Sequence, residues 1–315
     1  MINSPVLRIG TRQSSLAMAQ STWVANQLES QSECRVELVK ITTSGDEHAA
    51  PTASPVATGI FTREIQRALL DRRVDIAVHS LKDLPTETVA GLELAAVPPR
   101  AAVADILVTR DGLTLNQLPD EATIGTSSLR RGAQLLHLRP DLQVREIRGN
   151  IDTRLRKLDQ GDYDAIVLAQ AGLDRQGITD HLHVSFTPDD MLPAPAQGAL
   201  GLEVRQGDAS TRSFVDRLND SQTQQAVTAE RAMLSALHGG CRAPVAAFSF
   251  LTPRGDLELT GAVISLDGRH KLVARSVGDT QRPSELGLSV AAQLVEQGAH
   301  ELIAAARDVG DSSAE

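Results

Sequence analysis

Short apolar runs alternate with stretches of helical periodicity through the first two thirds of the chain. "VLRIGTRQSSLAMAQSTWVANQL" reads as a strand, a polar turn and a helix, with Ser14 or Ser15 placed to cap it and Leu16, Ala19, Trp23 and Leu28 near one face. "RVELVKI" then predicts a strand, "TREIQRALLDRR" a helix and "VDIAVHS" a buried strand. This is a β-α-β grammar, which implies a mostly parallel sheet. After the proline-containing, alanine-rich "AAVPPRAAVAD", a plausible crossing point between domains, the same grammar restarts. It runs "ATIGT" strand, "SSLRRGAQLLHL" helix, "LQVREI" strand, "IDTRLRKL" helix and "YDAIVLA" strand, with Leu129, Ala133 and Leu136 on one helical face and Ile151, Leu155 and Leu158 on another.

The last third changes character. A helix through "AVTAERAMLSAL" stops at Gly239 and Gly240. The strands "APVAAFSFL", "DLELTGAVISL" and "RHKLVARSV" follow, with Asp267 and Gly268 as a hairpin signal, and "GLSVAAQLVEQGAHELIAAA" closes the pattern as a helix. Two similar α/β lobes and a small α+β domain are therefore expected. A length of 315 residues agrees, being too long for one ordinary core.

Composition narrows the function. Hydrophobic residues make up 41% of the chain and charged residues 23%, a soluble globular balance. Aromatics are only 2% and the net charge is −9, so base stacking and attraction to a phosphate backbone are both disfavoured and nucleic acid is not an expected partner. The N-terminal stretch lacks a basic segment followed by an apolar one, and no run approaches the roughly 18 apolar residues of a membrane span. The expectation is a cytoplasmic protein without a membrane partner. Cys34 and Cys241 are too few for a disulfide framework or a four-ligand zinc site, and no metal is expected.

In an open α/β sheet ligands bind beyond the carboxyl ends of the strands. Arg12, "HSLKD" at 79–83, "TSSLRR" at 126–131 and Arg148 all fall at such ends, with Arg154 and Arg175 on the adjoining helices. A single arginine is ordinarily a solvated surface residue. Six in these places point to a ligand with many carboxylates, which guanidinium groups meet bidentately. Phosphate would suit the same donors and the helix start at Ser127 and Ser128, but neither a Walker A pattern nor a dinucleotide glycine fingerprint is present. In "SALHGGCRAPVAAF", Cys241 follows two glycines and precedes a strand, which places it at a loop tip; taken alone it reads as an ordinary structural cysteine.

"RIGTRQSSLAMAQ", "VDIAVHSLKDLPTE", "IGTSSLRRGAQL", "IRGNIDTRLRKLDQGDYDAIVLAQAGLDR", "LPAPAQGALGLEVR" and "GGCRAPVAA" together resemble, in order and over nearly the whole chain, the signature blocks of the porphobilinogen deaminase family. The resemblance implies two periplasmic-binding-protein-like, doubly wound lobes and a small C-terminal α+β domain carrying a cofactor cysteine. The expected boundaries are 1–100 with 198–218 returning, 101–197 and 219–315. It implies a dipyrromethane cofactor joined by a thioether to Cys241, on which four porphobilinogen molecules condense with loss of ammonia before hydrolytic release of hydroxymethylbilane. Asp83 resembles the catalytic aspartate, also in contact with the cofactor. Ser80, Lys82, Thr126, Ser128, Arg130 and Arg131 resemble the residues that hold the cofactor's acetates and propionates. Arg12, Arg148, Arg154 and Arg175 resemble those that receive substrate. A monomer is expected, and His79 is expected to be a packing or hydrogen-bonding neighbour.

One segment departs from the family. Where relatives carry a lysine- and glycine-rich loop, this chain has "SPVATGIFTRE", with Thr58 in place of a lysine while Phe61 and Glu64 keep the frame. Two other readings stand beside the enzyme: paired α/β lobes with an anion-binding cleft also describe a carboxylate-binding module without catalysis, and the altered loop is open to a degenerate deaminase homologue. On the residues alone, Asp83 is also open to a turn-capping role before Pro85.

Overall fold

A computed structural model describes residues 4–42, 62–239 and 243–312. Cys241, Thr58 and the segment around Thr58 lie outside them. The chain forms two compact units, Met1–Ala101 with Ala199–Gln224, and Ala102–Gly198 with Gln225–Glu315.

The first unit is built on a five-stranded sheet. Its strands are β1 (Val6–Thr11), β2 (Arg35–Lys40), β3 (Ile76–Ser80), β4 (Leu92–Ala96) and β10 (Leu200–Arg205), in the order β2-β1-β3-β10-β4. β2, β1 and β3 run parallel, and β10 is antiparallel to both neighbours. Helix α1 (Ser15–Gln31) covers one face, where Leu28 and Val24 meet Ile9, Ile76 and Leu202. Helix α2 (Arg63–Leu70) covers the other, where Ile65 and Leu69 meet Val74 and Ala77. A sheet buried on both faces explains why β3 reads as a continuous apolar run.

The second unit repeats the scheme. β5 (Asp105–Thr109), β6 (Thr123–Gly125), β7 (Gln143–Arg145), β8 (Ala165–Ala169) and β9 (His183–Ser185) are ordered β7-β6-β8-β5-β9, with β5 antiparallel to both neighbours. Helices α3 (Leu129–Leu138), α4 (Ile151–Asp159) and α5 (Gln170–Gln176) connect them. Alternation along β5 sends Leu107 into one core with Ile124, Leu135 and Val167, and Ile106 and Val108 into the other with Leu155 and Ile166.

The C-terminal part of this unit is an antiparallel sheet of β11 (Val245–Leu251), β12 (Leu257–Ile264) and β13 (Lys271–Gly278). It packs with α7 (Ser221–Ala236), α8 (Pro283–Glu296) and α9 (Ala299–Ser312) around a core including Met233, Leu259, Val290 and Ile303. The short helix α6 (Ala209–Val215) belongs to the first unit. On the sheet's opposite face Ala246, Ala262 and Ile264 meet Ala133 of α3 and Leu192. The 267–268 hairpin signal holds, with Gly268 at φ +72° between β12 and β13. A side chain there would collide with the backbone of Leu136 and His137.

Several local expectations differ from the structure. The closing helix is two helices, because Gly298 adopts φ +100° and turns the chain between α8 and α9. The buried face of α1 is Gln20, Ser21, Val24, Ala25 and Leu28, not the stripe through Trp23, which is 40% exposed. Buried polar residues on α1 shifted the apparent apolar face by about one position. Strands β4, β5, β9 and β10 escaped the pattern: β5 and β10 are buried along their whole length, so neither shows the alternation of a half-buried strand.

Candidate functional site

The second unit gathers cations at the carboxyl ends of its strands. β6 ends at Gly125, and the loop that follows is folded on itself. Thr126 N bonds Arg145 O at 2.9 Å, Ser127 Oγ donates to Ile147 O at 2.6 Å, and Ser128 N donates to Thr126 Oγ1 at 3.2 Å. Ser128 caps α3 by accepting from Arg131 N at 3.4 Å. The cap carries Arg130 and Arg131 into the first turn, and both are almost fully buried, 3% and 7% exposed.

What holds them there is Asp105, the first residue of β5, which lies opposite Ala169 at the end of β8 and is completely buried. Arg131 donates to Asp105 Oδ1 from Nε at 3.0 Å and Nη2 at 2.7 Å, and to Val167 O from Nη1 at 3.0 Å. Arg130 Nη1 is 2.8 Å from Asp105 Oδ2 and donates to Leu192 O at 2.6 Å. Gln197 Nε2 adds a bond to Asp105 Oδ1 at 2.9 Å and another to Val103 O at 2.8 Å. Burial alone would raise the Asp105 carboxyl, but Arg130 and Arg131, with hydrogen bonds from Arg130 and Gln197, hold it well below the ordinary carboxylate range.

One carboxylate against two guanidinium groups leaves a positive charge unmatched, and the buried Arg130 Nε has no hydrogen-bond partner among the described residues. Arg154, on α4 behind the Asn150 cap, donates from Nε to Gly149 O at 2.8 Å, and its pKa is lowered first by burial and then by Arg131. Arg175, on α5, donates to Gly198 O at 2.7 Å, and burial lowers it to about 10. An unmatched buried charge, an orphaned donor and two desolvated guanidinium groups fit a ligand rich in carboxylates. Arg148 differs: it is exposed and paired with Glu146 at 2.8 Å.

In the first unit the candidate residues also sit at strand ends. Arg12 follows β1 and is half-buried. Ser14, rather than Ser15, caps α1, accepting from Ala17 N at 3.4 Å. Ser80 ends β3 and its Oγ accepts from Gln20 Nε2 at 2.8 Å. Lys82 and Asp83 lie on the single 3₁₀ turn Leu81–Asp83 that continues the strand. Asp83 is exposed, and its carboxylate makes no capping bond or ion pair among the described residues. His79 is buried, with Nε2 3.1 Å from Glu203 Oε2, a hydrogen-bonding neighbour as expected.

Asp105, Gln197, Glu203 and Gln66 escaped the sequence reading. Asp105 and Glu203 begin or interrupt apolar runs, "ADILV" and "LGLEVR", and an acid inside a buried strand is the signal that marks both. Cys241 lies outside the described residues. Cys34 is buried as a free thiol, raised chiefly by that burial.

Fold and site together define an α/β protein whose second unit buries two arginines on one carboxylate at its strand ends. A family model described as "Porphobilinogen deaminase, dipyromethane cofactor binding domain" matches residues 7–213, and "Porphobilinogen deaminase, C-terminal domain" matches 224–296. The porphobilinogen deaminase of Thermus thermophilus is 45% identical over 303 residues, covering 96% of this chain and 99% of the relative. That of Mycobacterium bovis is 47% identical over 306 residues, covering 95% and 98%. Among solved structures, the VFT2 domain of Bordetella pertussis BvgS aligns with TM-score 0.41 and 16% identity, covering 68% of this chain and 86% of that one. The chain belongs to the porphobilinogen deaminase family.

Proposed function

We propose that this chain condenses four porphobilinogen molecules stepwise onto a dipyrromethane primer held by Cys241, releasing ammonia at each step and hydroxymethylbilane at the end. The observation that carries the reading is the Asp105-centred pair of buried arginines with its unmatched positive charge, which suits the acetates and propionates of that primer. Arg130, Arg131, Thr126, Ser128, Ser80 and Lys82 hold the primer, while Arg12, Arg148, Arg154 and Arg175 receive substrate and the growing chain. When bound, the primer supplies a terminal pyrrole carbon as nucleophile. Asp83 protonates the amine that leaves each porphobilinogen, faces the methylene pyrrolenine cation of that substrate and takes the proton from the joined ring. Its exposure on the turn that follows β3, without a competing partner among the described residues, supports that role.

The same reading carries three domains, 1–100 with 198–218 returning, 101–197 and 219–315. The separate core of the C-terminal sheet supports the last of these. It also carries a cytoplasmic monomer without nucleic-acid or membrane partners; no helix among the described residues is long and apolar enough to cross a membrane. Intact mass tests the proposal. Native protein should exceed its sequence mass by one dipyrromethane, and Cys241→Ala should remove the adduct while leaving a folded chain. An adduct that survives in Cys241→Ala, or that maps to Cys34, refutes it.

A further inference from the structure

Glu203 and His79 are buried titratable groups that this chemistry leaves unused. Glu203 lies on β10 opposite Ala77, and His79 is the penultimate residue of β3. His79 Nε2 stands 3.1 Å from Glu203 Oε2, and Gln66 Nε2 on α2 donates to both Glu203 oxygens at 3.1 Å. Burying a carboxylate is costly unless its lone pairs are met, and here they are met by the strand that leads to Asp83 and by the helix packed on it. On the other face of β3, Gln20 Nε2 donates to Ser80 Oγ at 2.8 Å, and Leu81 N bonds Ala199 O at 3.0 Å. Successive strand side chains point to opposite faces, so β3 is gripped from both sides and along its backbone just before the Leu81–Asp83 turn. Asp83 makes no side-chain bond of its own among the described residues, and it inherits its position from whatever holds that strand end.

We infer that Glu203 is a positioning residue: through His79 it sets where the turn places Asp83, and thereby the rate of the chemical step rather than the affinity for substrate. The inference rests on the proposed role of Asp83. A displacement of about 1 Å in a reacting group is enough to cost on the order of a hundredfold in rate. The Glu203 bonds reach none of the arginines assigned to substrate, so the effect belongs in kcat.

The test measures turnover of primer-loaded enzyme, its load verified by intact mass, for Glu203→Ala, Glu203→Gln, Gln66→Leu and Asp83→Asn. Glu203→Ala should lower kcat at least about tenfold with KM for porphobilinogen within about twofold. Glu203→Gln, which keeps the volume and can still meet His79, should recover most of that loss. Gln66→Leu should lower kcat by about threefold. A kcat near wild type in folded, loaded Glu203→Ala, a loss seen mainly in KM, or no recovery in Glu203→Gln overturns the inference. Should Glu203→Ala not fold, Gln66→Leu decides on the same split between kcat and KM. Wild-type turnover by Asp83→Asn would instead remove the role of Asp83 and the inference with it, an outcome distinct from failure of the Glu203 variants alone.

Discussion

The two five-stranded sheets share one strand order, one pattern of directions and a buried acid on the antiparallel strand, yet they meet that acid with different chemistry. In the second unit Asp105 is clasped by Arg130 and Arg131. In the first, Glu203 is met by an imidazole and an amide. Both sheets offer the same strand ends to a ligand. The partner chosen for the acid decides what those ends do. Two guanidinium groups on one carboxylate leave a surplus positive charge that suits an anion, whereas Glu203 holds together a strand whose next turn bears an exposed carboxylate. Under the proposed function the second unit supplies most of the binding arginines, while the first adds Arg12, Ser80 and Lys82 and carries the reacting Asp83.

The largest effect expected of breaking this contrast falls on the reacting side. Asp83→Asn should keep the primer and the fold while lowering turnover by about 10²–10⁴-fold, since an amide neither shuttles protons nor offsets a developing cation. Product formation at a normal rate by loaded Asp83→Asn would place the chemistry elsewhere.

On the binding side, Asp105→Asn leaves two buried guanidinium groups without a counter-charge and should cost about 3–5 kcal/mol of stability, with primer retention lost alongside. Thermal melting and intact mass follow both, and a variant that melts like wild type and keeps its primer would erase the distinction between the sheets. Acid provides a second route to the same group. The folded Asp105 carboxyl is depressed below its unfolded value, so it stabilises above that value, about 3.9, and the contribution drains as pH falls below about 4. Urea unfolding at pH 5 and pH 3 should show a smaller pH effect in Asp105→Asn than in wild type.

Smaller changes grade the arginines. Arg130→Leu or Arg131→Leu should hinder primer assembly, and Arg148→Leu or Arg175→Leu should stall elongation with partial chains attached, each removing a contact of about 1.5–3 kcal/mol. Mass spectra after brief exposure to porphobilinogen display these as adduct ladders, and identical ladders in all four variants would count against separate primer and substrate positions. Thr58→Lys should have the least effect. Restoring a cation to that loop should lower KM or raise kcat by about two- to threefold, less at high salt as the charge is screened. Equal rates at low salt would mean that the residue at 58 carries no electrostatic role.

Much of this was legible in the chain because it is local. The serine caps of α1 and α3 and the apolar run of β3 depend on residues a few positions apart. So does the 267–268 hairpin. The motif blocks brought Asp83 and the arginines forward in the same way. What stayed hidden depends on distant partners: Gln197 reaches Asp105 across 92 positions, and Gln66 reaches Glu203 across 137. Even Arg148, equal to Arg175 as a candidate, is separated from it by surroundings alone, one exposed on Glu146 and the other desolvated.

The sequence by itself singled out Asp83 and the arginines as candidates, with the elements that carry them, but not Asp105 or Glu203, since helical and strand periodicity, caps and motif spacing are properties of neighbouring positions. Only the tertiary structure decided how those residues are charged and held. β5 and β10 enter their sheets antiparallel, and each brings a buried acid to its partners. Burial removes the water that would otherwise screen them. In that setting the same kind of carboxylate becomes a counter-ion for two arginines in one sheet and a brace for the strand before Asp83 in the other.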